Sequence, residues 1–382
     1  MNILIVHDFY RIAGGEDSVV SNEIELLKAH GHKVYSYFKD NHDIVTDGIA
    51  CKIGLFRQTV YNRKIKKEIQ ETIKRNRIEV VHCHNTFPLI SPSVYRYSKQ
   101  MGCKVFQTIH NFRFLCAAAD FIREGGVCED CLTKGIFCAL KHKCYHGSFA
   151  QTFSLYALQR NFRRKKLWRY VDKFICLTEF NKEKLSAVIP EGKIAVKPNF
   201  SFFAPSGETC NGPKSQFIYV GRVETIKGIG ALIDVFKREG MPRLVICGTG
   251  NDLERFKREA ETSNIVFLGF CDKEKIMGEL AKSIAMIMPS MCYEGFPMTV
   301  AESMAMGVPV IARNIGNLPY IVEDGRTGYL FDTDDDLERS VMRLNGDPIE
   351  RDRLSRNCIH YNAEHLSPEA NYNMLMDIYE GK

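Results

Sequence analysis

Short apolar runs of strand length alternate with helix-period stretches along this chain, and the alternation happens twice. The first series is residues 3–6, 33–37, 80–82, 104–108 and 174–177; the second is 217–220, 243–247, 265–268, 285–289 and 308–312. Between them lie amphipathic segments such as 18–29, closed by the helix stop His30-Gly31. Alternation of this kind predicts a parallel sheet buried on both faces by helices, and its restart predicts two such sheets. The expected fold class is α/β, with two Rossmann-like, doubly wound domains.

The break between the two series falls near Pro198, where Asn199-Phe200-Ser201 leads into the turn-rich, poorly periodic 204–213. A chain of 382 residues is long for one hydrophobic core and comfortable as two. The expected domains are 1–198 and 199–365. A last helix within 366–382, opened by Ser367-Pro368-Glu369, is expected to pack back on the first domain. Residues 112–147 form a Cys-rich insertion too long for an ordinary connection, and therefore a candidate for function.

No stretch approaches the roughly eighteen apolar residues of a membrane-crossing helix. Met1-Asn2-Ile3-Leu4-Ile5-Val6-His7-Asp8 reads as a first strand with no basic flank or cleavage site, so a cytoplasmic protein is expected. The net charge of +6 is modest and local, and does not call for nucleic acid. Arg63, Lys64, Lys66, Lys67, Lys74, Arg75 and Arg77 make one basic segment. Arg163, Arg164, Lys165, Lys166 and Arg169 make another, beside Phe162, Leu167, Trp168 and Tyr170. Each is either a solvated helix face or a peripheral dock on an anionic membrane, at ~1 kcal/mol per charge near the surface. Docking would place the protein at the inner face of the plasma membrane.

Fourteen cysteines in a long chain without an export signal argue for thiols rather than disulfides. Cys128-Glu129-Asp130-Cys131 has thiolate-pair spacing, and Cys116 and Cys144 would complete a tetrahedral structural zinc site. The alternative is a set of ordinary reduced thiols. No cofactor is expected for the chemistry itself.

Gly14-Gly15 follows the first strand and opens the first helix. Two glycines there let a ligand approach outward-facing amides; alternatively they form only a tight turn. Arg222 and Lys227 follow the strand at 217–220, a pair of cations suited to a diphosphate unless both are merely solvated. Gly248-Thr249-Gly250 offers another close backbone approach. Phe270 would line a base or close the core. Glu294-Gly295-Phe296-Pro297 lies between an apolar run and a helix, with Glu302 eight positions beyond Glu294. A carboxylate in a loop and another on the following helix suit a ligand rich in hydroxyls. Asp332, Asp334, Asp335 and Asp336 read as a helix cap and solvated loop rather than a metal motif.

Taken together, Gly14-Gly15, Gly221-Arg222 with Lys227, and Glu294 with Glu302 around Gly295-Phe296-Pro297 resemble the retaining nucleotide-sugar glycosyltransferases of family four. Those enzymes have the GT-B fold, two Rossmann-like domains facing each other across a cleft. The resemblance implies that Gly15 holds the donor diphosphate through its amide, with Arg222 and Lys227 on the same phosphates. It places Glu294 at the transferred sugar, Glu302 on the ribose, and His110, in Thr108-Ile109-His110-Asn111, beside the sugar. Donor contacts from Gly14, Gly250, Phe270, Gly295, Phe296 and Pro297 complete the expected set. Within the family the chain looks most like bacterial enzymes of surface-polysaccharide synthesis. It carries Gly14-Gly15-Glu16-Asp17, His110-Asn111-Phe112-Arg113 and Lys197-Pro198-Asn199-Phe200, although Phe200 replaces a glycine common after the hinge asparagine.

The implied activity is metal-independent, retaining transfer from a nucleoside-diphosphate sugar, UDP favoured over GDP, to a glycan or lipid-linked acceptor. A GT-B-like UDP-sugar epimerase and a non-catalytic nucleotide-sugar-binding protein are the alternatives.

Overall fold

A computed structural model describes residues 1–11, 14–45, 47–203, 214–261 and 264–382. The turn-rich 204–213 segment lies outside the described residues. The chain divides into two compact units. The first comprises Met1–Arg123, Cys128–Pro198 and Tyr372–Lys382; the second comprises Glu124–Val127 and Asn199–Asn371.

The first unit is built on a six-stranded parallel sheet. Its strands are β1 (Asn2–Phe9), β2 (Lys33–Asp40), β3 (Val80–Cys83), β4 (Lys104–Ile109), β7 (Lys173–Cys176) and β8 (Ile194–Val196), in the order β2-β1-β3-β4-β7-β8. Two-residue strands β5 (Ile122–Arg123) and β6 (Gly126–Val127) fall within the insertion. Ile3, Leu4, Ile5 and Val6 are all fully buried, as an unbroken apolar run between helix layers must be. The first helix, α1 (Gly15–Ala29), starts at Gly14, whose amide is taken by the Asp17 carboxylate at 3.0 Å. Leu375 and Tyr379 of the last helix (Pro368–Glu380) are buried in the same core as Ile3, Ile5, Val80 and Phe106. Tyr379 Oη lies 2.7 Å from His82 Nδ1.

The second unit has its own six-stranded parallel sheet. It comprises β9 (Gln216–Val220), β10 (Arg243–Cys247), β11 (Ile265–Gly269), β12 (Ser283–Met288), β13 (Val310–Arg313) and β14 (Gly328–Phe331), ordered β11-β10-β9-β12-β13-β14. Thr333 caps the helix Asp334–Gly346 reciprocally with Asp336, so the acidic run is a cap and first turn.

In both sheets the chain builds outward in one direction and then returns to build in the other. The reversal lies between β1 and β3 in the first unit and between β9 and β12 in the second. Outside the carboxyl ends of the strands at such a reversal, open α/β sheets have their ligand crevices. Among the described residues no helix is long and apolar enough to cross a membrane.

Candidate active site

In the second unit the reversal brings together two loops far apart in sequence. One follows β9 and carries Arg222 and Lys227; the other follows β12 and carries Glu294. Lys227 Nζ lies 2.6 Å from Glu294 Oε1, with both side chains mostly buried. Burial works against the Lys227 charge, but Glu294 opposite it more than offsets that, so its pKa is raised and it stays protonated. Ser290, fully buried at the end of β12, donates to the same Glu294 oxygen. Asn317, also fully buried, donates to the Glu294 backbone carbonyl, and Asn199 donates to that of Phe296 at 3.2 Å. Glu294 is thus fixed in side chain and backbone alike.

The glycines of this region work by letting backbone meet backbone. Gly228, at a φ of +76°, would place a Cβ 2.0 Å from the Pro289 carbonyl, so it pins the Lys227 turn to the end of β12. A Cβ on Gly250 would lie 2.3 Å from the Val223 carbonyl, and one on Gly248 1.8 Å from that of Gly221. The close approach read from Gly250 in the sequence is therefore met by the protein's own β9 loop.

Arg222 points outward, pairing with Glu224 at 3.0 Å. Phe270 is 81% exposed, so it is not a core-closing residue. Phe296 is buried, and Pro297 is the N-cap of the helix Met298–Ala305 without capping it through a side chain. Gly295 completes that entry. The first-turn amides form a positive end suited to an anion. Glu302, one turn further in, has a carboxyl pushed up to about 7 by burial, with Lys273 pulling the other way.

In the first unit, Gly14-Gly15 opens α1 after β1, and His110 follows β4. His110 Nε2 lies 3.0 Å from His84 Nδ1, and His84 Nε2 lies 3.2 Å from Glu23 Oε1. Glu23 is fully buried and is held by Lys197 at 3.3 Å and His82 at 2.8 Å. If His84 carries its proton on Nε2, towards that carboxylate, its Nδ1 accepts from His110. The Nδ1 atom of His110 then remains as an acceptor. Burial lowers the pKa of both histidines, His84 to about 4, so both are neutral near pH 7. Sequence reasoning found His110 and missed Glu23 and His84; only the pairing of β3 with β1 and β4 brings these groups together. It also missed Ser290 and Asn317, which carry no motif of their own.

The insertion is packed. Cys131 is buried in an apolar cluster with Phe87, Ala117, Ala139, Leu155 and Leu158, with Cys138 and Cys144 against it. Burial raises the pKa of Cys116, Cys131 and Cys144, the last two also through neighbouring thiols. Among the described residues the metal-competent group that converges within 4.8 Å is Glu23, His82 and His84, already joined to Lys197. No three of the insertion's thiols do so. The second basic segment is turned outward only in part. Phe162 and Leu167 are core residues, and Arg163 is partly buried and turned onto the Phe114 carbonyl, leaving Arg164, Lys165, Lys166 and Arg169 exposed.

Comparison with known proteins agrees with this architecture. Residues 13–200 match the model of Glycosyltransferase Family 4, and residues 205–361 match that of Glycosyl transferases group 1. An uncharacterised 41.2 kDa protein of the cps region of Klebsiella pneumoniae is 22% identical over 344 residues, covering 87% of this chain and 86% of its own. The sucrose-phosphate synthase of Thermosynechococcus elongatus superposes with a TM-score of 0.70 at 18% identity, covering 100% of this chain and 98% of its own. HepE of Anabaena in complex with UDP superposes with a TM-score of 0.68 at 13% identity, covering 100% of each chain. With its halves matched to these two models and both sheets in place, the chain belongs to the glycosyltransferases of the GT-B fold and resembles enzymes of polysaccharide biosynthesis.

Proposed function

We propose that this enzyme transfers a sugar from a nucleoside diphosphate to a hydroxyl of a glycan or lipid-linked acceptor, retaining the anomeric configuration. The observation that carries this reading is the Lys227–Glu294 pair at the strand reversal of the second unit, beside uncapped helix amides. The leaving group is a diphosphate, so the barrier lies in stabilising its developing negative charge and the positive charge on the sugar. Lys227, Arg222 and the amides after Pro297 serve the first need, with Gly15 adding a backbone amide. Glu294 serves the second and holds sugar hydroxyls, and Glu302 binds the ribose. Gly295, Phe296 and Phe270 shape the donor pocket on the second unit, with Gly250 supporting it through the β9 loop; Gly14 and His110 are the donor contacts proposed on the first unit.

In the transfer step the anomeric C–O bond to the diphosphate breaks. The acceptor oxygen bonds to the same face of the sugar, and its proton leaves with the diphosphate. Fixed cations take the place that a catalytic metal would otherwise fill. UDP is the favoured base, supported by a structural neighbour solved with UDP and with UDP-glucose. A panel of UDP-, GDP- and ADP-sugars, read as free nucleoside diphosphate with and without acceptor, tests the reading. Epimerised donor without release would replace it.

The exposed basic residues 164–166 and 169 contact anionic lipid on this reading, at the inner face of the membrane. Unchanged liposome binding after neutralising Arg164, Lys165 and Lys166 would remove that part. A structural zinc at Cys116, Cys128, Cys131 and Cys144 is tested by metal analysis, with Cys128→Ser as control. One zinc per chain, lost in the variant, supports it; none removes it.

A further inference from the structure

The first unit holds a cation that the donor reading does not use. Arg113 follows β4 by a few residues, and its backbone is held at both ends. Its amide donates to Asn111 Oδ1 at 3.1 Å, and its carbonyl accepts from the fully buried Gln159 at 2.7 Å. The guanidinium lies 4.2 Å from the centre of the Phe87 ring and 5.8 Å from that of Tyr145. Its Nε and Nη1 atoms are shut off from solvent, and among the described residues neither finds an acceptor. Tyr10 takes a hydrogen bond from the guanidinium, but two buried donors of a cation left unmet are unfavourable unless something arrives to satisfy them.

Arg113 lines a cavity of about 30 Å³, together with His84, Gln107, His110 and Asn111. A water needs about 10–15 Å³ by this measure, so there is room for two or three water-sized groups, the size of a carboxylate or phosphoryl head. The neighbouring acid does not neutralise Arg113. Glu16, reached by Asn111 Nδ2 at 3.4 Å, has its carboxyl pushed up to about 8 by burial against the pull of Arg113, and so is mostly protonated near pH 7. His84 and His110 are neutral there. The cavity is thus lined by one positive charge and, near pH 7, by no anion.

We propose that this pocket binds an anionic group of the acceptor, a carboxylate or a phosphoryl, so that the enzyme selects a charged acceptor over a neutral one. This rests on the transferase reading, with the acceptor on the first unit. The carboxylate would come from an acidic sugar and the phosphoryl from a phosphate-linked carrier. Contact with the Phe87 ring face restrains the guanidinium, which gives its hydrogen bonds direction.

The test uses the full chain with UDP at saturation, so that the donor site cannot take the probe; failure of UDP to bind would count against the donor reading alone. Glucuronate and inorganic phosphate are then titrated, with glucose as the neutral control. One of the two anions should bind and glucose should not, the successful anion identifying the source. In Arg113→Gln that affinity should fall about 10- to 100-fold with UDP binding unchanged, and Arg113→Lys should recover part of it. UDP binding reports that the variants are folded, and the contrast between anion and glucose in the wild type stands without them. Binding of neither anion, or equal binding in Arg113→Gln, would overturn the proposal.

Discussion

Lys227 Nζ stands 2.6 Å from Glu294 Oε1, joining the loop after β9 to the loop after β12 at the point where the second sheet reverses direction. The pair is more than a surface ion pair. Both groups are largely shielded from water, so each is the main compensation for the other's charge. Glu294→Gln should therefore leave Lys227 less firmly protonated and lower turnover by about 10²–10³, measured as nucleoside diphosphate released.

Glu302 gives the second unit a pH dependence of unusual sign. Its carboxyl, raised by burial from the usual carboxylate range to about 7, holds a proton in the folded chain that the unfolded chain has already lost. Stability should fall as pH rises from about 4.5 to about 7, reaching a full penalty on the order of 1–3 kcal/mol above that. Glu302→Gln should melt higher than the wild type at about pH 8 and equally at about pH 4. A wild type that shows no such loss relative to the variant would remove the buried, protonated carboxyl.

Two glycines separate architecture from ligand contact. A Cβ on Gly228 meets the Pro289 carbonyl at 2.0 Å and forces a left-handed φ on alanine. Gly228→Ala should destabilise by roughly 2–4 kcal/mol and displace Lys227. Gly14 has nothing within 4 Å of its Cβ position and an extended backbone. Gly14→Ala should leave the melting temperature nearly unchanged while weakening donor turnover. A loss of stability at Gly14 equal to that at Gly228 would contradict the distinction.

The last helix is part of the first unit's core, not an appendage. Leu375 is fully buried, and Lys104 donates to the Tyr379 carbonyl at 2.8 Å. Leu375→Ala should cost about 2–5 kcal/mol in thermal or urea unfolding. A change within a few tenths of a kcal/mol would show that the helix docks too loosely to matter.

Much of the fold was legible because a strand buried on both faces must be apolar throughout. The runs at 3–6 and 217–220 therefore announce themselves. The edge strands Ile194–Val196 and Gly328–Phe331 went unread because three or four residues carry too little pattern to separate a strand from a loop. Lys227, Glu294 and Glu302 stand out in the sequence by their chemistry and position. Ser290, Asn317 and Glu23 do not, since serine, asparagine and glutamate take their role from what the topology sets opposite them. The C-x-x-C spacing suggested thiolates, yet Cys131 lies among apolar side chains, a setting that spacing does not encode. Which residues of 160–173 face outward is not encoded locally either. A helix can bury Phe162 and expose Arg164 two positions away, and only the core it packs against decides which face turns in.

If Lys227 neutralises a departing diphosphate, nucleoside diphosphate release from UDP-, GDP- and ADP-sugars should separate the wild type from Lys227→Ala. The wild type should release it from at least one donor, the variant about 10²–10³ more slowly, and a metal chelator should affect neither. Equal rates in wild type and variant, or release that requires an added divalent metal, would contradict that role of Lys227.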